Sequence, residues 1–189
     1  GLKIAFGENP KRVYGQQKKM PATRMASVAL LREAFIKAQN YKAKIRKESK
    51  DLEKTVERDI KMEVLCDVLD KKIPLRAHAH RADDIMTALR IAREFDVDIV
   101  IEHCTEGHII ADELARLNVP VVVGPSLSSR SKVELKDLTF ETPGVLANKG
   151  LKVALMTDHP VIPIQYLPLC ASIAVREGMK EEDALKAIT

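Results

Sequence analysis

Short apolar runs alternate with longer segments of helical periodicity from about residue 75 onward. Buried strands are predicted at residues 75–80, 98–103, 119–124 and 151–157. Amphipathic stripes predict helices at 83–95, after Thr105 and at 164–177, with Asp83 or Asp84 capping the first and Thr105 the second. Strands that are apolar on both faces and alternate with amphipathic helices indicate a parallel sheet covered by helices. The predicted fold class is therefore α/β.

The first 72 residues have a less regular pattern. Residues 1–6 fit a fifth strand, 7–10 read as a turn, and 23–47 and 54–69 predict two long charged helices that cover the surface. A strand that begins at the second residue and an uncapped final helical pattern predict a chain cut at both ends. Five strands match five-eighths of an eightfold (β/α)8 barrel, or a smaller open sheet. We therefore expect one barrel portion, without internal domains, over residues 1–189.

Composition narrows the class of protein. With 46% hydrophobic and 31% charged residues, the 189-residue chain resembles an ordinary soluble domain. No apolar run is long enough for a membrane span, so we expect no membrane partner. The three cysteines show no C-x-x-C pairing, which predicts a reducing cytoplasmic location without disulfides.

The net charge suggests nucleic-acid binding, but the distribution of the charges argues against it. The net charge is +4, and basic residues outnumber acidic ones before residue 73 but not after it. Acidic residues are interleaved with the basic ones, and only 4% of residues are aromatic. We therefore expect a small-molecule substrate and no nucleic-acid partner, with binding of an anionic ligand left open.

Histidines collect where the predicted strands end. His78 and His80 end one strand, His103 ends the next, and Asp158 follows the last. The carboxyl ends of parallel strands open onto one face, so these side chains are expected to meet there. Each histidine alone is also compatible with a buried structural role. Two imidazoles and a carboxylate together match the ligand set of a catalytic zinc or similar ion.

Spacing leaves part of this site open. His78 and His80 are two residues apart and point to the same face, so alternation does not decide which is the metal ligand and which faces substrate. Glu102 and Glu106 are candidates for holding an imidazole tautomer, or are a solvated charge and a helix-terminal carboxylate.

Three ordered motifs carry a family resemblance. Residues 73–84 with the His-Ala-His run, 102–108 (Glu-His-Cys-Thr-Glu-Gly-His) and 157–160 (Thr-Asp-His-Pro) resemble the later strands of the amidohydrolase superfamily, in its imidazolonepropionase-related branch. The opening residues 7–11 and 23–25 are also similar to that branch.

The resemblance implies a distorted (β/α)8 barrel and a metal-activated hydroxide that hydrolyses a cyclic amide or related non-peptide C–N bond. It implies that His78 is a metal ligand, and that His103 is a ligand or orients the water and the substrate carbonyl. Asp158 then contacts the metal and accepts a proton as a catalytic residue, while His80 and Arg81 face the substrate. The implied cofactor is a divalent ion, zinc first, with iron or manganese as alternatives.

One departure limits what this chain is expected to do alone. The superfamily's first-strand His-x-His pair would lie before Gly1, so we expect weak metal binding and little or no turnover. Lys3 lies in the presumed fourth strand but is not assigned as a carboxylated ligand. A dipeptidase-type amidohydrolase and a metal-poor binding or assembly module remain alternatives. An exposed parallel sheet edge predicts a homo-oligomer.

Overall fold

Five short strands form one parallel sheet in the computed structural model, which describes residues 1–48 and 57–189. Each strand pairs with the next one along the chain, in the order β1-β2-β3-β4-β5. The strands are β1 (Leu2–Ala5), β2 (Leu75–Ala79), β3 (Ile99–His103), β4 (Val121–Val123) and β5 (Val153–Leu155). The predicted parallel α/β class is confirmed, although β4 and β5 are shorter than the predicted runs.

Helices connect the strands, and short 3-10 turns precede two of them. The α-helices are α1 (Glu8–Gln16), α2 (Arg24–Glu48), α3 (Ile60–Leu69), α4 (Ala82–Glu94), α5 (Ala111–Arg116), α6 (Thr142–Asn148), α7 (Leu167–Arg176) and α8 (Glu181–Lys186). The 3-10 helices are Gly107–Ile110, Val133–Leu135 and Ile164–Tyr166. No helix in the described ranges combines the length and the apolar character needed to cross a bilayer.

Local capping chemistry explains where the structure departs from the predicted helices. The helix predicted at 54–69 begins only at Ile60, because the Asp59 side chain accepts hydrogen bonds from the N–H groups of Lys61 and Met62. Residues 54–56 lie outside the described part. The turn predicted at 7–10 is wrong as well, because α1 already begins at Glu8 with Pro10 in its first turn, where its missing N–H does little harm.

Both predicted side-chain caps are wrong. Arg81 is the N-cap residue of α4 and makes no side-chain cap bond, while Asp83 and Asp84 lie in the first turn, where carboxylates favour the positive end of the helix dipole. Thr105 precedes a 3-10 turn, and its hydroxyl hydrogen-bonds the ring of His80. The Thr105 hydroxyl, which the sequence pattern predicts to cap a helix, is therefore hydrogen-bonded to His80 instead.

The helices pack on one face of the sheet. Alternate residues of β2 and β3, such as Ala77 and Ile101, are fully buried there against Ile85 and Leu114. The charged helices α2 and α3 are anchored by a second apolar cluster, in which Phe35 stacks on Phe95 with ring centroids 4.7 Å apart. Burial of such side chains contributes about 1.5–3 kcal/mol each.

The opposite face of the sheet is polar near the site. Arg76 and His78 alternate onto it from β2, and Glu102 joins them as the register partner of His78 on β3. The buried carboxylate of Glu102 accepts a 2.5 Å hydrogen bond from Arg76 Nε and is also ion-paired with Lys3. On this face the negative charge of Glu102 is therefore balanced by Arg76 and Lys3, next to the histidines.

Candidate metal site at the carboxyl end of the sheet

Three buried histidines meet at the carboxyl ends of β2 and β3. Potential ligand atoms of His78, His80 and His103 all lie within 4.8 Å of one another, which occurs for no other group of three such residues in the described ranges. The ring centroids of His78 and His103 are 4.2 Å apart, and those of His80 and His103 are 4.5 Å apart. The three rings are therefore close enough together to be candidate ligands of one metal ion.

Backbone conformation brings His103 into the cluster. Strand alternation would place it on the helix-covered face with Ile101, but its φ is +71°, outside the extended region. Its Nδ1 donates a 2.8 Å hydrogen bond to the carbonyl oxygen of Gly124 at the end of β4. Because a carbonyl only accepts, Nδ1 carries the hydrogen of the neutral ring and Nε2 holds the lone pair.

A second set of hydrogen bonds fixes His78. Lys132 Nζ donates to Asn9 Oδ1 at 2.7 Å, and Asn9 Nδ2 lies 3.2 Å from His78 Nε2. Lysine has no acceptor, so the amide oxygen of Asn9 faces Lys132 and the amide NH₂ faces the ring. His78 Nε2 therefore bears the lone pair and uses it to accept this bond, so a metal ion at that nitrogen would have to displace the Asn9 amide.

Burial keeps all three rings neutral. Desolvation is the largest cause that lowers the pKa of His78 to about 3 and that of His80 to about 2, and their neighbour His103 lowers both further. The pKa of His103 is lowered by burial, against its bond to Gly124 and the nearby carboxylate of Asp158. Neutral imidazole is the form that binds metal, so the cluster is prepared for an ion at neutral pH.

The histidines open into a cavity of about 360 Å³. Its other polar lining groups are Asn9, Ser128, Ser129, Ser131, Lys132 and Asp158. Apolar side chains such as Leu127 and Ile162 complete the wall. The volume lies within the range of small-molecule sites.

The remaining predicted site residues occupy different places. Asp158 is exposed and lines the same cavity, but it is not part of the three-histidine group. Arg81 does not line the cavity; its guanidinium donates to the carboxylate of Asp83 at 2.9 and 3.1 Å.

The acidic candidates for imidazole support bind other groups. Glu102 is held by Arg76 and Lys3, and Glu106 accepts a 2.8 Å hydrogen bond from the Ala82 N–H at the start of α4. The side chain of Lys3 is engaged in its ion pair with Glu102.

Sequence reasoning missed the polar groups that support the histidines. Thr105 was assigned to a helix cap, and Asn9 belongs to the recognised 7–11 motif without an assigned role. Lys132 and Glu134 follow the Ser-rich loop in a stretch that resembles solvated surface. They are brought to the site by the path of the loop, and the hydrophobic periodicity of the sequence does not predict that path.

Comparisons with known proteins agree with this architecture. No protein-family model matches the chain. It is 24% identical over 203 residues to the amidohydrolase tasK of Hapsidospora irregularis, covering 100% of this chain and 20% of that protein. It matches the crystal structure of an amidohydrolase from Thermotoga maritima MSB8 with a TM-score of 0.97 and 54% identity, covering 100% of this chain and 49% of that one.

The chain thus spans about half of the Thermotoga protein and a fifth of the tasK protein. Its five parallel strands and their helices match part of a TIM-barrel-like amidohydrolase domain, so the predicted partial barrel is confirmed. Both relatives are named amidohydrolases. The three buried histidines are consistent with metal dependence.

Proposed function

We propose that this chain forms the carboxyl-side part of a metal-dependent hydrolase that cleaves a C–N bond in a cyclic amide, as imidazolonepropionase-like enzymes do. One observation carries the proposal: three buried, neutral imidazoles lie within 4.8 Å of one another, at the edge of a cavity large enough for a small substrate. The similarity to two amidohydrolases supports the same reaction class.

The donor set fits a borderline divalent ion. His103 would offer its Nε2 lone pair, His78 would offer its own once the Asn9 amide is displaced, and Asp158 on the same cavity would offer a carboxylate oxygen. Imidazole with carboxylate is a common combination for zinc, and iron or manganese is accepted by similar sets. When bound, such an ion lowers the pKa of its water to about 7 and polarises a carbonyl group.

The protein's own side chains supply proton acceptance and substrate binding. Asp158 accepts the proton of the attacking water, since it is the one acidic side chain that lines the cavity among the described residues. His80 lines the cavity and would present its ring to the substrate, since its two nitrogens face Thr105 and Glu134. A role for Arg81 in substrate binding stays a prediction, which requires its guanidinium to leave Asp83.

The setting of the enzyme follows from the same proposal. We infer a cytoplasmic enzyme, because its three cysteines are free thiols. We infer a homo-oligomer acting on a small molecule, because the edge strands β1 and β5 each pair with only one neighbour in the described sheet. Sedimentation would test the oligomer, and a single species with the mass of one chain would contradict it.

Metal analysis and hydrolase assays test the function together. The chain would be stripped with a chelator, reloaded with zinc, manganese or iron, and assayed alone and when co-expressed with the half of the Thermotoga amidohydrolase that it does not match. We expect metal binding to the chain, and hydrolysis of five- and six-membered cyclic amides that is stronger in the complemented sample. A His103→Ala variant should lose both, whereas His159→Ala, an exposed histidine on the same rim, should keep them.

Two results would contradict the proposal. Metal binding that survives His103→Ala would place the ion elsewhere. Cleavage of dipeptides without cleavage of cyclic amides would replace the proposed substrate class with a dipeptidase.

A further inference from the structure

Glu134 is the most deeply buried charged side chain near the histidines, with 1% of its surface exposed. Its Oε2 accepts a 2.9 Å hydrogen bond from the backbone N–H of Glu8. Its Oε1 is buried and lacks a hydrogen-bond partner among the described residues. That oxygen lies 3.7 Å from His80 Nε2 and 3.7 Å from Lys132 Nζ.

A buried carboxylate oxygen without a partner is costly, so its surroundings need an explanation. Burial is the largest influence on Glu134 and raises its pKa, while the Glu8 N–H and the Lys132 ammonium act against burial and favour the ionised form. Gly7 leaves room for the group, because a Cβ there would lie 2.7 Å from Glu134 Oε2. The Glu134 carboxylate therefore fits beside the site because residue 7 has no side chain.

The carboxylate determines which nitrogen of His80 carries the hydrogen. Thr105 Oγ1 lies 2.8 Å from His80 Nδ1 and, as a hydroxyl, is able to donate or accept. An ionised Glu134 only accepts, so an Nε2–H directed at it is favoured over a lone pair. The Thr105 hydroxyl then donates to Nδ1.

Glu134 also acts on His78 indirectly, through Lys132 and Asn9. We call this the indirect arm, and the contact of Glu134 with His80 the direct arm. Glu134 attracts the Lys132 ammonium, which donates to Asn9 Oδ1 and so turns the Asn9 amide NH₂ towards His78 Nε2. This orientation keeps the hydrogen of His78 on Nδ1 and its lone pair on Nε2. One carboxylate is therefore connected to two of the three rings.

We propose that Glu134 is a positioning residue that sets the tautomers of the histidine cluster, acting directly on His80 and through Lys132 and Asn9 on His78. It keeps His80 as the Nε2–H tautomer and His78 as the Nδ1–H tautomer, whose Nε2 lone pair accepts from the Asn9 amide. The tautomers belong to the metal-free protein and do not depend on the proposed function; only their consequence for metal affinity rests on it.

Glu134→Gln tests the direct arm by reversing the polarity of one contact. The amide oxygen keeps the bond from the Glu8 N–H, so the amide NH₂ faces His80 Nε2. We expect His80 to change from the Nε2–H to the Nδ1–H tautomer, measured by long-range ¹H–¹⁵N correlation of the metal-free protein. Glu106→Gln is the matched control, because Glu106 is a comparably buried carboxylate on the same rim that binds the Ala82 N–H.

Lys132→Met tests the indirect arm and remains informative if Glu134→Gln does not fold. Without the ammonium, the Asn9 amide is released, and His78 should populate both tautomers. An Nδ1–H tautomer of His80 in the wild-type protein, or unchanged tautomers in both variants, would overturn the proposal.

Metal affinity supplies a second readout. Changes in groups that orient a ligand typically weaken metal binding by about 10- to 100-fold, and we expect Glu134→Gln to raise the zinc dissociation constant by that factor while Glu106→Gln leaves it unchanged. If the wild-type protein shows the predicted tautomers but binds no zinc, the positioning role stands and the proposed function fails. If it binds zinc and the dissociation constant is the same in Glu134→Gln, the inferred consequence of these tautomers for metal affinity is overturned.

Discussion

The imidazole rings of His78 and His103 lie 4.2 Å apart, although strand alternation would place the two residues on opposite faces of the sheet. His78 shares its face with Glu102, and His103 is the next residue along β3. The positive φ of His103 and the hydrogen bond from its Nδ1 to the Gly124 carbonyl bring its ring to the cavity side. The site therefore arises where regular strand geometry ends.

This relationship predicts a strong dependence of metal binding on His103. His103→Ala removes one of the clustered nitrogens, so zinc affinity measured by titration calorimetry should fall by more than about 100-fold, exceeding the usual effect of an outer-shell change. His159→Ala alters an exposed histidine nearby and should bind zinc as the wild type does. Equal losses in the two variants would contradict a ligand role specific to His103.

Gly124 is predicted to be irreplaceable at the end of β4. Its φ is +140°, and a Cβ there would lie 2.1 Å from the backbone oxygen of Met156. Gly124→Ala should lower the free energy of unfolding by more than the about 1–3 kcal/mol typical of backbone strain, because a backbone clash adds to it. Gly150→Ala is the control: its φ is also positive, +83°, but its Cβ would meet open space. Urea unfolding should show the larger loss for Gly124, and equal losses would contradict this reading of the clash.

The architecture was largely predictable because apolar periodicity reports burial directly. The runs predicted at 75–80 and 98–103 contain β2 and β3, and the amphipathic stripe of α4 matches its buried side, although Arg76, His78 and Glu102 make one face of these two strands polar. Helix starts were less predictable, because Thr105, Asp83 and other polar residues had competing partners. Local sequence does not show which partner prevails.

The histidines of the site were predictable because parallel strands deliver their carboxyl-terminal residues to one edge. The proximity of His80 and His103 follows from the backbone turn at His103, which the strand pattern does not reveal. The role of Glu134 depends on a loop folding back onto α1, and it has no periodic signature. Long-range loop contacts are the part that sequence pattern leaves undetermined.

Acid is predicted to destabilise the metal-free protein through the buried rings. Because burial lowers the pKa of His78 to about 3 and of His80 to about 2, the unfolded chain binds more protons than the native protein below pH 6.5. Stability is therefore highest above that pH and falls as the pH is lowered. Between pH 7 and pH 5, the loss should reach up to about 2 kcal/mol per histidine in urea unfolding.

A double variant, His78→Asn with His80→Asn, provides the comparison. It removes both groups and should show a shallower fall of stability with acid. An unchanged slope would assign the acid sensitivity to other residues.

The ion pair between Arg24 and Asp84 is predicted to fasten α2 to α4. Arg24 Nε lies 2.9 Å from Asp84 Oδ1, and the Asp84 side chain is only 4% exposed, so loss of Arg24 leaves a buried carboxylate uncompensated. Since Arg24 itself is 37% exposed, solvent screening reduces the effect, and Arg24→Met should cost about 1–3 kcal/mol.

Arg32→Met is the matched control, because Arg32 pairs with the more exposed Glu94 on the same helices. Its melting temperature should stay close to that of the wild type. A larger drop for Arg32→Met than for Arg24→Met would contradict the importance of the buried carboxylate.

Anomalous diffraction at the zinc edge, from crystals soaked in zinc, tests the central claim most directly. The account predicts a peak at the histidine cluster, about 2.0–2.1 Å from Nε2 of His78 and of His103, with the Asp158 carboxylate beside it. A saturating soak that leaves these nitrogens without a peak, while ions bind elsewhere on the chain, would contradict a metal site at the ends of β2 and β3.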